Sequence, residues 1–371
     1  MWLHELHADK LRNLKSVALE LAAGVTIVTG RNGQGKTSVL EAIYLAGTAR
    51  SFRTTRVDEL IARDGGPLRV SAGIRALAGP TTLGVVVDSG ERHLYVNGTE
   101  RPIEEFLGRL DLVALPTDSA RILRDGPEGR RRFVDSGIVG VRPGFLSDLG
   151  EYRRVLAERN ALLRRSQSGA RPSLGASLDA WDERLALSAA RIHRQRREYV
   201  VELASRLGPA ERMLLPEDEG IVLRYKPSPQ ESGADDASRF EATYRRTLET
   251  GRRRDLALGF TSEGPHRDDV ETTFAGNEIR RFGSAGQLRA TMIALCAGKL
   301  SLLKERHRES PVFLMDDFDS DLDESKVRSL LDFLREGGFQ ALLATSKAGF
   351  LDTLGFSLPM IRMEGGLARA A

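Results

Sequence analysis

The stretch GVTIVTGRNGQGKTSVLEAIYLAG, residues 24–47, decides the fold. Its first part is an apolar run rich in β-branched residues, which predicts a buried strand ending at Thr29. Apolar residues then recur at helical spacing, and Gly47 is a typical helix stop. A strand, a glycine-rich turn and a helix in this order are the context in which proteins build a phosphate-binding loop.

The turn itself, GRNGQGKT, matches the pattern G-x-x-x-x-G-K-[ST]. Glycine lets this backbone turn without a Cβ clash, so successive N–H groups and the helix N-terminus can point at an anion. Lys36 offers ammonium donors to the β- and γ-phosphates of a nucleotide, and the Thr37 hydroxyl is a ligand for Mg²⁺. The predicted nucleotide-binding residues of this loop are Gly30, Arg31, Asn32, Gly33, Gln34, Gly35, Lys36 and Thr37.

A second motif, PVFLMDD at 311–317, is an apolar run that ends in two carboxylates. A buried strand of this kind delivers Asp316 to the metal of a phosphate-binding loop, and Asp317 can orient or deprotonate the attacking water. We therefore predict Lys36, Asp316 and Asp317 as catalytic residues, and Thr37 and Asp316 as ligands of Mg²⁺.

A third motif, FGSAGQLRATMIAL at 282–295, places a Ser-x-Gly-Gln turn before a helical pattern. Ser284 and Gly286 offer a hydroxyl, backbone N–H groups and a helix N-terminus to an anion. An ordinary N-cap serine before a glycine turn gives the same local pattern. The phosphate-binding loop and the acidic strand elsewhere in the chain favour the binding function, so Ser284, Gly286 and Gln287 are predicted to bind nucleotide.

The spacing of the motifs predicts an insertion, because Lys36 and Asp316 are 280 positions apart and a compact nucleotide domain needs less chain. Short β runs at 68–98 indicate an antiparallel sheet, and long helical patterns with polar loops at 166–177 and 227–238 follow. Strand and helix patterns then alternate, which is typical of a mainly parallel sheet covered by helices. We expect an α/β fold whose nucleotide domain is formed by residues 1–115 and 256–371, with an inserted, mainly helical domain at 116–255.

The composition indicates a globular protein but does not by itself indicate a partner. The chain has 371 residues, a net charge of only +3 and 41% hydrophobic residues. Cys296 lies in an apolar run and is expected to be an inert core residue. Because no stretch approaches the roughly 20 apolar residues of a membrane helix and the N-terminus lacks an apolar signal core, we expect a cytoplasmic location.

Taken together, the loop, the Ser-x-Gly-Gln signature, the acidic strand and the SDLD segment at 320–323 resemble the motif set of the ABC-type ATPases. The arrangement is similar to that of the SMC-like repair ATPases, and within them to the RecF family. The matching segments run through the whole chain in order: NGQGKTSVLEAIYLAGTARSFRT at 32–54, RDGPEGRRRFVDSG at 124–137, GPHRDDV at 264–270, SAGQLR at 284–289 and DDFDSDLD at 316–323.

This resemblance implies an ABC-type ATPase head with a mixed parallel sheet and an antiparallel β subdomain, which binds ATP with Mg²⁺ and dimerises head to tail. Lys36, Thr37 and Asp316 would serve the nucleotide of their own subunit, and the Ser284 signature would serve the γ-phosphate bound to the other subunit. Asp323 would lie at the subunit boundary. Such dimers close on DNA, act with RecO and RecR at single-strand gaps and help to load RecA, and ATP hydrolysis reopens them.

Three departures from the ABC-type pattern predict slow turnover. Asp317 stands where a glutamate is usual, and the predicted strand ALLAT ends in Thr345 and Ser346 rather than at a switch histidine. The usual mid-chain glutamine loop is missing, and Asp118 in LPTD occupies the nearest comparable turn. We therefore expect ATP binding, more than hydrolysis, to be the main event.

Binding to DNA should depend on neutralising phosphates and should weaken with salt. Candidate donors are Arg50, Arg53 and Arg56, the run Arg130 to Arg132, and the arginines of the helical insertion, any of which could also be part of a solvated basic face. His266 and Arg267 could contact nucleotide or DNA, or could hold a buried turn with Asp268, and the sequence does not separate these interpretations.

Two other classes of function fit parts of the sequence. One is an ABC-type ATPase that drives a transporter, against which the antiparallel insert, the arginine-rich helices and the missing switch histidine argue. The other is a binding protein whose nucleotide is structural and is never hydrolysed.

Overall fold

The computed structural model describes residues 1–63, 65–167, 174–215, 220–230, 237–347, 349 and 355–370. The loops predicted at 166–177 and 227–238 lie in part outside these ranges. The chain forms two compact units, of which the first comprises Met1–Arg121, Arg206–Ile221 and Phe282–Ala371, and the second comprises Ile122–Ser205 and Val222–Arg281. The domain boundaries suggested by the sequence stay a prediction.

The strands, numbered in chain order, are β1 Trp2–Asp9, β2 Ser16–Glu20, β3 Val25–Thr29, β4 Leu68–Ala76, β5 Gly79–Asp88, β6 Glu91–Val96, β7 Thr99–Glu100, β8 Leu112–Leu115, β9 Ile221–Lys226, β10 Asp269–Phe274, β11 Asn277–Glu278, β12 Val312–Met315, β13 Gln340–Thr345, β14 Met360–Glu364 and β15 Leu367–Ala370. The α-helices are α1 Lys36–Thr48, α2 Ile103–Phe106, α3 Ala120–Arg124, α4 Pro127–Val141, α5 Phe145–Gln167, α6 Leu174–Ala204, α7 Gly208–Leu214, α8 Ala237–Leu258, α9 Ile279–Phe282, α10 Ala285–His307 and α11 Glu324–Glu336.

The first unit contains two sheets of different type. One has the order β2-β1-β4-β5-β6-β7 and is antiparallel, as the short β runs predicted. The other has the order β15-β14-β3-β13-β12-β8, and all its neighbouring strands are parallel except β15. The fold is therefore the mixed α/β architecture expected from the sequence.

Helix α1 follows the glycine-rich loop and packs against both sheets of the first unit. Its apolar side chains from Val39 to Ala46 are almost all buried, and the helix contacts strands of the antiparallel and of the parallel sheet. A helix that is apolar nearly all round is stable only when it is covered on every side. The position of Lys36 at its first turn is thus fixed by the packing of the whole unit.

A buried glutamine joins the two sheets. Gln340 begins β13 and is only 1% exposed. Its Oε1 accepts a hydrogen bond from the Leu3 N–H at 2.8 Å, and its Nε2 donates to the carbonyls of Leu3 and Ala22, both at 2.7 Å. One side chain therefore satisfies three backbone groups, and the two that belong to Leu3 are buried.

The second unit is mainly helical, with α4, α5 and α8 packing on α6, and a small sheet of order β11-β10-β9. Buried ion pairs hold the helices together. Arg159 is fully buried and bonds Asp182 at 2.6 Å and Asp255 at 2.7 Å. In the same way Arg196 bonds Asp135 at 2.8 Å.

Among the described residues, no helix has the length and apolar character needed to cross a membrane.

Candidate functional site

The parallel sheet brings the predicted motifs to one edge. Register pairs Thr29 with Thr345 across β3 and β13, and Met315 with Leu115 across β12 and β8. Because these strands are parallel, their carboxyl ends open at the same edge, where ligands of α/β proteins bind. The glycine-rich loop, the acidic pair and the segment after β8 all leave the sheet there.

The glycine-rich loop has the backbone that its sequence predicts. Gly30, Gly33 and Gly35 have φ values of 148°, 79° and 111°, a region that side-chain-bearing residues rarely adopt. A Cβ on Gly30 would lie 2.5 Å from the Met363 carbonyl oxygen. Arg31, Asn32 and Gly33 are exposed, whereas Lys36 is buried and its ammonium group donates to the Gly30 carbonyl at 2.7 Å.

Residues far away in sequence hold this loop in place. Asn13 donates to the Gly33 carbonyl at 2.8 Å and accepts from the Ser38 hydroxyl at 2.7 Å. At the other side, the Gln34 side chain accepts from the Gly365 N–H at 2.6 Å, in the turn between β14 and β15. The sequence analysis did not find Asn13, Ser38 or Gly365, because no motif marks them.

The acidic pair meets the loop through hydroxyl groups. The Thr37 hydroxyl donates to Asp316 Oδ2 at 2.9 Å, although the two residues are 279 positions apart. The Thr117 hydroxyl lies 2.9 Å from Asp316 Oδ2 and 3.1 Å from Asp317 Oδ2. Thr117, rather than its neighbour Asp118, therefore contacts the pair; the side chain of Asp118 is 74% exposed.

Asp316 fits the metal-binding role that the sequence predicted. It is buried, and its Oδ1 has no hydrogen-bond partner among the described residues. Burial raises the pKa of Asp316, and the hydrogen bonds from Thr37 and Thr117 act in the opposite direction. A carboxylate oxygen without a partner next to a threonine hydroxyl is the kind of oxygen ligand set that Mg²⁺ takes in proteins.

Arg289 holds the acidic pair from its backbone side. Arg289 is only 3% exposed, and its Nη2 donates to the carbonyls of Asp316 at 2.7 Å and Asp317 at 3.0 Å. Asp317 has a φ of 44°, so its backbone is in the left-handed region that non-glycine residues avoid. The hydrogen bond from the arginine thus stabilises the left-handed backbone conformation of Asp317, directly after β12.

The signature turn is placed on the surface as the N-cap of α10. The Ser284 hydroxyl accepts from the Gln287 N–H at 3.2 Å, and the Gln287 side chain accepts from the Ser284 N–H at 2.9 Å. Ser284 is exposed, and Gly286 and Gln287 are half-buried. In the described part of the chain each of these two side chains bonds the backbone N–H of the other residue, and neither makes a hydrogen bond to the glycine-rich loop of the same subunit.

Asp323 caps helix α11. Its Oδ1 accepts from the Lys326 N–H at 2.9 Å and from the Ser325 hydroxyl at 2.6 Å. These bonds lower the pKa of Asp323 to about 2, and the bond from Ser325 has the largest effect. The carboxylate is therefore charged at neutral pH. It is exposed, and its place at a subunit boundary stays a prediction.

Buried ion pairs remove some arginines from the DNA candidates. Arg130 is buried and grips both carboxylate oxygens of Asp269 at 2.7 and 2.9 Å. Arg131 donates to the Asp268 carbonyl at 2.7 Å, whereas Arg132 is exposed. Arg159 and Arg196 of the insertion are buried as described above.

The segment after α1 keeps its arginines near the surface. Glu41 is fully buried, and its two carboxylate oxygens accept from Nε and Nη2 of Arg12, each at 3.0 Å. Arg53 lies 3.8 Å from the same carboxylate with about half of its side chain exposed, and Arg50 and Arg56 are exposed. These three residues stay candidates for DNA contact.

His266 belongs to a turn inside the second unit. Its Nδ1 accepts from the Tyr152 hydroxyl at 2.7 Å, and its Nε2 donates to the Thr261 carbonyl at 3.0 Å. Burial lowers the pKa of His266 to about 4, so the ring is neutral. Asp268 is fully buried and bonded to Arg196, while Arg267 is exposed and lies over the Phe260 ring. The buried-turn interpretation therefore holds for His266 and Asp268, and only Arg267 faces solvent.

The fold defines an ABC-type ATPase head. Residues 2–364 match the family model described as RecF/RecN/SMC N terminal domain. The DNA replication and repair protein RecF of Myxococcus xanthus (strain DK1622) is 34% identical over 349 residues, covering 93% of this chain and 91% of that protein. RecF of Geobacillus kaustophilus (strain HTA426) is 30% identical over 371 residues and 100% of both chains. The chain belongs to the RecF/RecN/SMC family, and within it to the RecF family.

Solved structures agree with this assignment. The structure described as the recombination mediator protein RecF-ATP in the RecFOR pathway has a TM-score of 0.90 and 28% identity, covering 100% of this chain and 97% of that one. An Smc head domain from Pyrococcus furiosus, solved with an extended coiled coil and the C-terminal domain of ScpA, has a TM-score of 0.57 and 16% identity, over 100% of this chain and 96% of that one. The second likeness concerns the fold alone.

Proposed function

We propose that the protein is an ATP-dependent DNA-binding protein of recombinational repair that acts in the cytoplasm. ATP induces a dimer that closes on duplex or gapped DNA, and slow hydrolysis resets it. The dimer helps RecO and RecR to load RecA at single-strand gaps. The names of its RecF relatives and the ATP-bound RecF structure support this proposal.

The observation that carries the proposal is the 2.9 Å contact between the Thr37 hydroxyl and Asp316. It joins the end of the glycine-rich loop to the acidic strand, so one edge of the parallel sheet holds the groups that a nucleoside triphosphate needs. The loop N–H groups and Lys36 would bind the phosphates, and Thr37 and Asp316 would hold Mg²⁺. The metal would neutralise charge that develops on the transferred phosphoryl group, and Asp317 would orient the attacking water.

The exposed signature turn supports completion of the site by a second subunit. Ser284 and Gln287 fix the turn through each other, and the Ser284 side chain at the start of α10 is exposed. The N-terminus of a long helix attracts a phosphate anion. Dimerisation would follow if the γ-phosphate binds the paired state better than the single subunit.

Sedimentation with ATP, with ADP and without nucleotide tests the proposal. We expect dimers with ATP only. Lys36→Ala should abolish both ATP binding and dimers, because the phosphate donor is lost. Ser284→Arg should abolish dimers while the monomer still binds ATP, because the large cation blocks only the signature turn. A Ser284→Arg variant that dimerises normally with ATP would show that the signature does not act in the second subunit.

Binding to gapped DNA at two salt concentrations tests the second half of the proposal. The affinity of the ATP-bound dimer should fall steeply with salt, since phosphate contacts dominate. Affinity that is the same with ATP and without nucleotide would contradict closure of the dimer on DNA.

A further inference from the structure

We propose that Arg289 is a positioning residue that couples the signature turn of each subunit to the acidic pair of the same subunit. This inference rests on the proposed function, because it concerns how the two halves of one ATPase head are linked. The signature would contact the nucleotide of the other subunit, whereas the acidic pair would serve the subunit's own nucleotide. A rigid connection between them would transmit a movement of the signature turn, caused by the nucleotide of the other subunit, to the acidic pair that serves the subunit's own nucleotide.

The first observation is that Arg289 and the signature belong to one rigid element. Helix α10 begins at the Ser284 cap, and Arg289 follows five residues later, about 7.5 Å along the helix axis. The capping box closes the first turn, so the turn and the arginine move as one body. An anion that draws the start of α10 towards itself would therefore also move the guanidinium.

The second observation is what the guanidinium holds. Nη2 donates to the carbonyls of Asp316 and Asp317, and Nη1 lies 3.4 Å from the carbonyls of Pro116 and Thr117 and 3.5 Å from the Ser119 hydroxyl. The acceptors are carbonyl or hydroxyl oxygens on two segments, one after β12 and one after β8. Thr117 in turn bonds the carboxylates of both aspartates. Arg289 thus fixes the backbone of the three residues whose side chains form the acidic cluster.

The third observation is the packing between the signature turn and the segment after the acidic pair. A Cβ placed on Gly286 would meet the Asp321 carbonyl oxygen at 3.5 Å, so the turn lies directly against the SDLD segment. Asp317 and Asp321 both have positive φ values, 44° and 59°. A segment with backbone strain at two of its residues persists only while its surroundings hold it, and Arg289 supplies part of that support through the Asp317 carbonyl.

Substitution of the arginine separates coupling from simple support of the fold. Arg289→Gln removes the charge and most of the donors, and Arg289→Lys keeps the charge but cannot reach carbonyls on both segments. We expect the kcat of ATP hydrolysis to fall by about tenfold or more in Arg289→Gln and by at least about threefold in Arg289→Lys. The KM for ATP and the ATP-dependent dimer should stay within about twofold of the wild-type protein.

Arg101→Gln is a matched control, because the Arg101 side chain is about half exposed and forms an ion pair with Glu105 of α2. It should leave kcat, KM and dimerisation unchanged. Thermal melts establish first that each variant is folded, and Arg289→Lys carries the test if the glutamine variant does not fold.

A wild-type kcat in either folded Arg289 variant would overturn the inference. Equal losses of ATP binding, dimerisation and kcat would also overturn it, because they would show that Arg289 only stabilises the fold. A wild-type protein that neither dimerises with ATP nor hydrolyses it would instead contradict the proposed function.

Discussion

At the residue scale, the acidic pair depends on two threonine hydroxyls that come from different elements. Thr37 belongs to the first turn of α1, and Thr117 follows β8. Each donates to Asp316 Oδ2, so the carboxylate is oriented, and its Oδ1 has no hydrogen-bond partner in the described part of the chain. Hydrogen bonds to a charged acceptor are worth roughly 1.5–3 kcal/mol, which is enough to fix a buried side chain in one rotamer.

Thr117→Val should slow ATP hydrolysis by about tenfold, because it removes one charge-assisted hydrogen bond without changing the side-chain shape. Release of phosphate at saturating ATP measures the effect. Thr117→Ser retains the hydroxyl and should remain close to the wild-type rate, as should Asp118→Ala at the exposed neighbour. Equal rates for the valine and serine variants would show that the hydroxyl does not position the pair.

His266 should make the stability of the second unit dependent on pH. Its pKa is lowered from 6.5 to about 4 in the folded protein, so the unfolded chain binds the proton more readily between these values. The contribution to the free energy of unfolding is full above pH 6.5 and is lost as pH falls towards 4. Urea titrations at several pH values measure this loss, and His266→Gln should reduce it.

His93→Gln is the control for this measurement, because the His93 side chain is 38% exposed and its pKa is raised by the hydrogen bond to Glu100. In the His93→Gln variant the free energy of unfolding should still fall between pH 6.5 and pH 4. An unchanged pH profile in His266→Gln would mean that the imidazole is not kept neutral by its burial.

At the element scale, β13 joins the parallel sheet to the antiparallel sheet through its first residue. Gln340 satisfies backbone groups of Leu3 and Ala22, and β13 also pairs with β3 and β12. The strand is therefore a structural connection between the element that carries the glycine-rich loop and the element that carries the acidic pair. Its burial from Gln340 to Thr345 is complete.

Gln340→Leu should lower the free energy of unfolding by about 2 kcal/mol or more. The leucine has a similar volume, but the N–H and the carbonyl of Leu3 would be left buried without the glutamine, at roughly 1–3 kcal/mol for each group. Urea unfolding measures the change. Thr82→Val, at an exposed position of β5, should stay within about 0.5 kcal/mol of the wild-type value. Equal stability of the two variants would mean that water or a backbone shift replaces the lost hydrogen bonds.

Elements with strong local signals were predictable from the sequence. The strand and helix around the glycine-rich loop are found at β3 and α1, and PVFLMDD forms β12, because apolar patterning and turn residues act over a few positions. The sequence pattern of ETTFAGNEIRRF, residues 271–282, favours a β pair, but the pairing between β10 and β11 involves two residues on each side of the turn at Ala275 and Gly276. Helix α9 begins at Ile279, so tertiary context overrides the strand pattern there.

At the scale of the whole molecule, contacts between distant segments could not be predicted. The sequence identified Thr37 and Asp316, because each lies in a motif with its own chemistry. It did not identify Asn13, Thr117 or the buried role of Arg289, because side-chain contacts across long separations leave no periodic pattern. The buried arginines of the second unit show the same limit, since an arginine in an ion pair and an arginine on a basic surface have the same sequence signal.

The position of β3 in the parallel sheet has a consequence for the order in which the head can assemble during translation. Strand β3 is made early, at residues 25–29, but its neighbours are β13 and β14, which lie at 340–345 and 360–364. Until the ribosome has released those late strands, the loop that follows β3 has neither of its sheet neighbours to set its geometry. The second unit, drawn from residues 122–281, has no such delay. A nascent chain would therefore hold a folded helical unit well before it could hold a nucleotide.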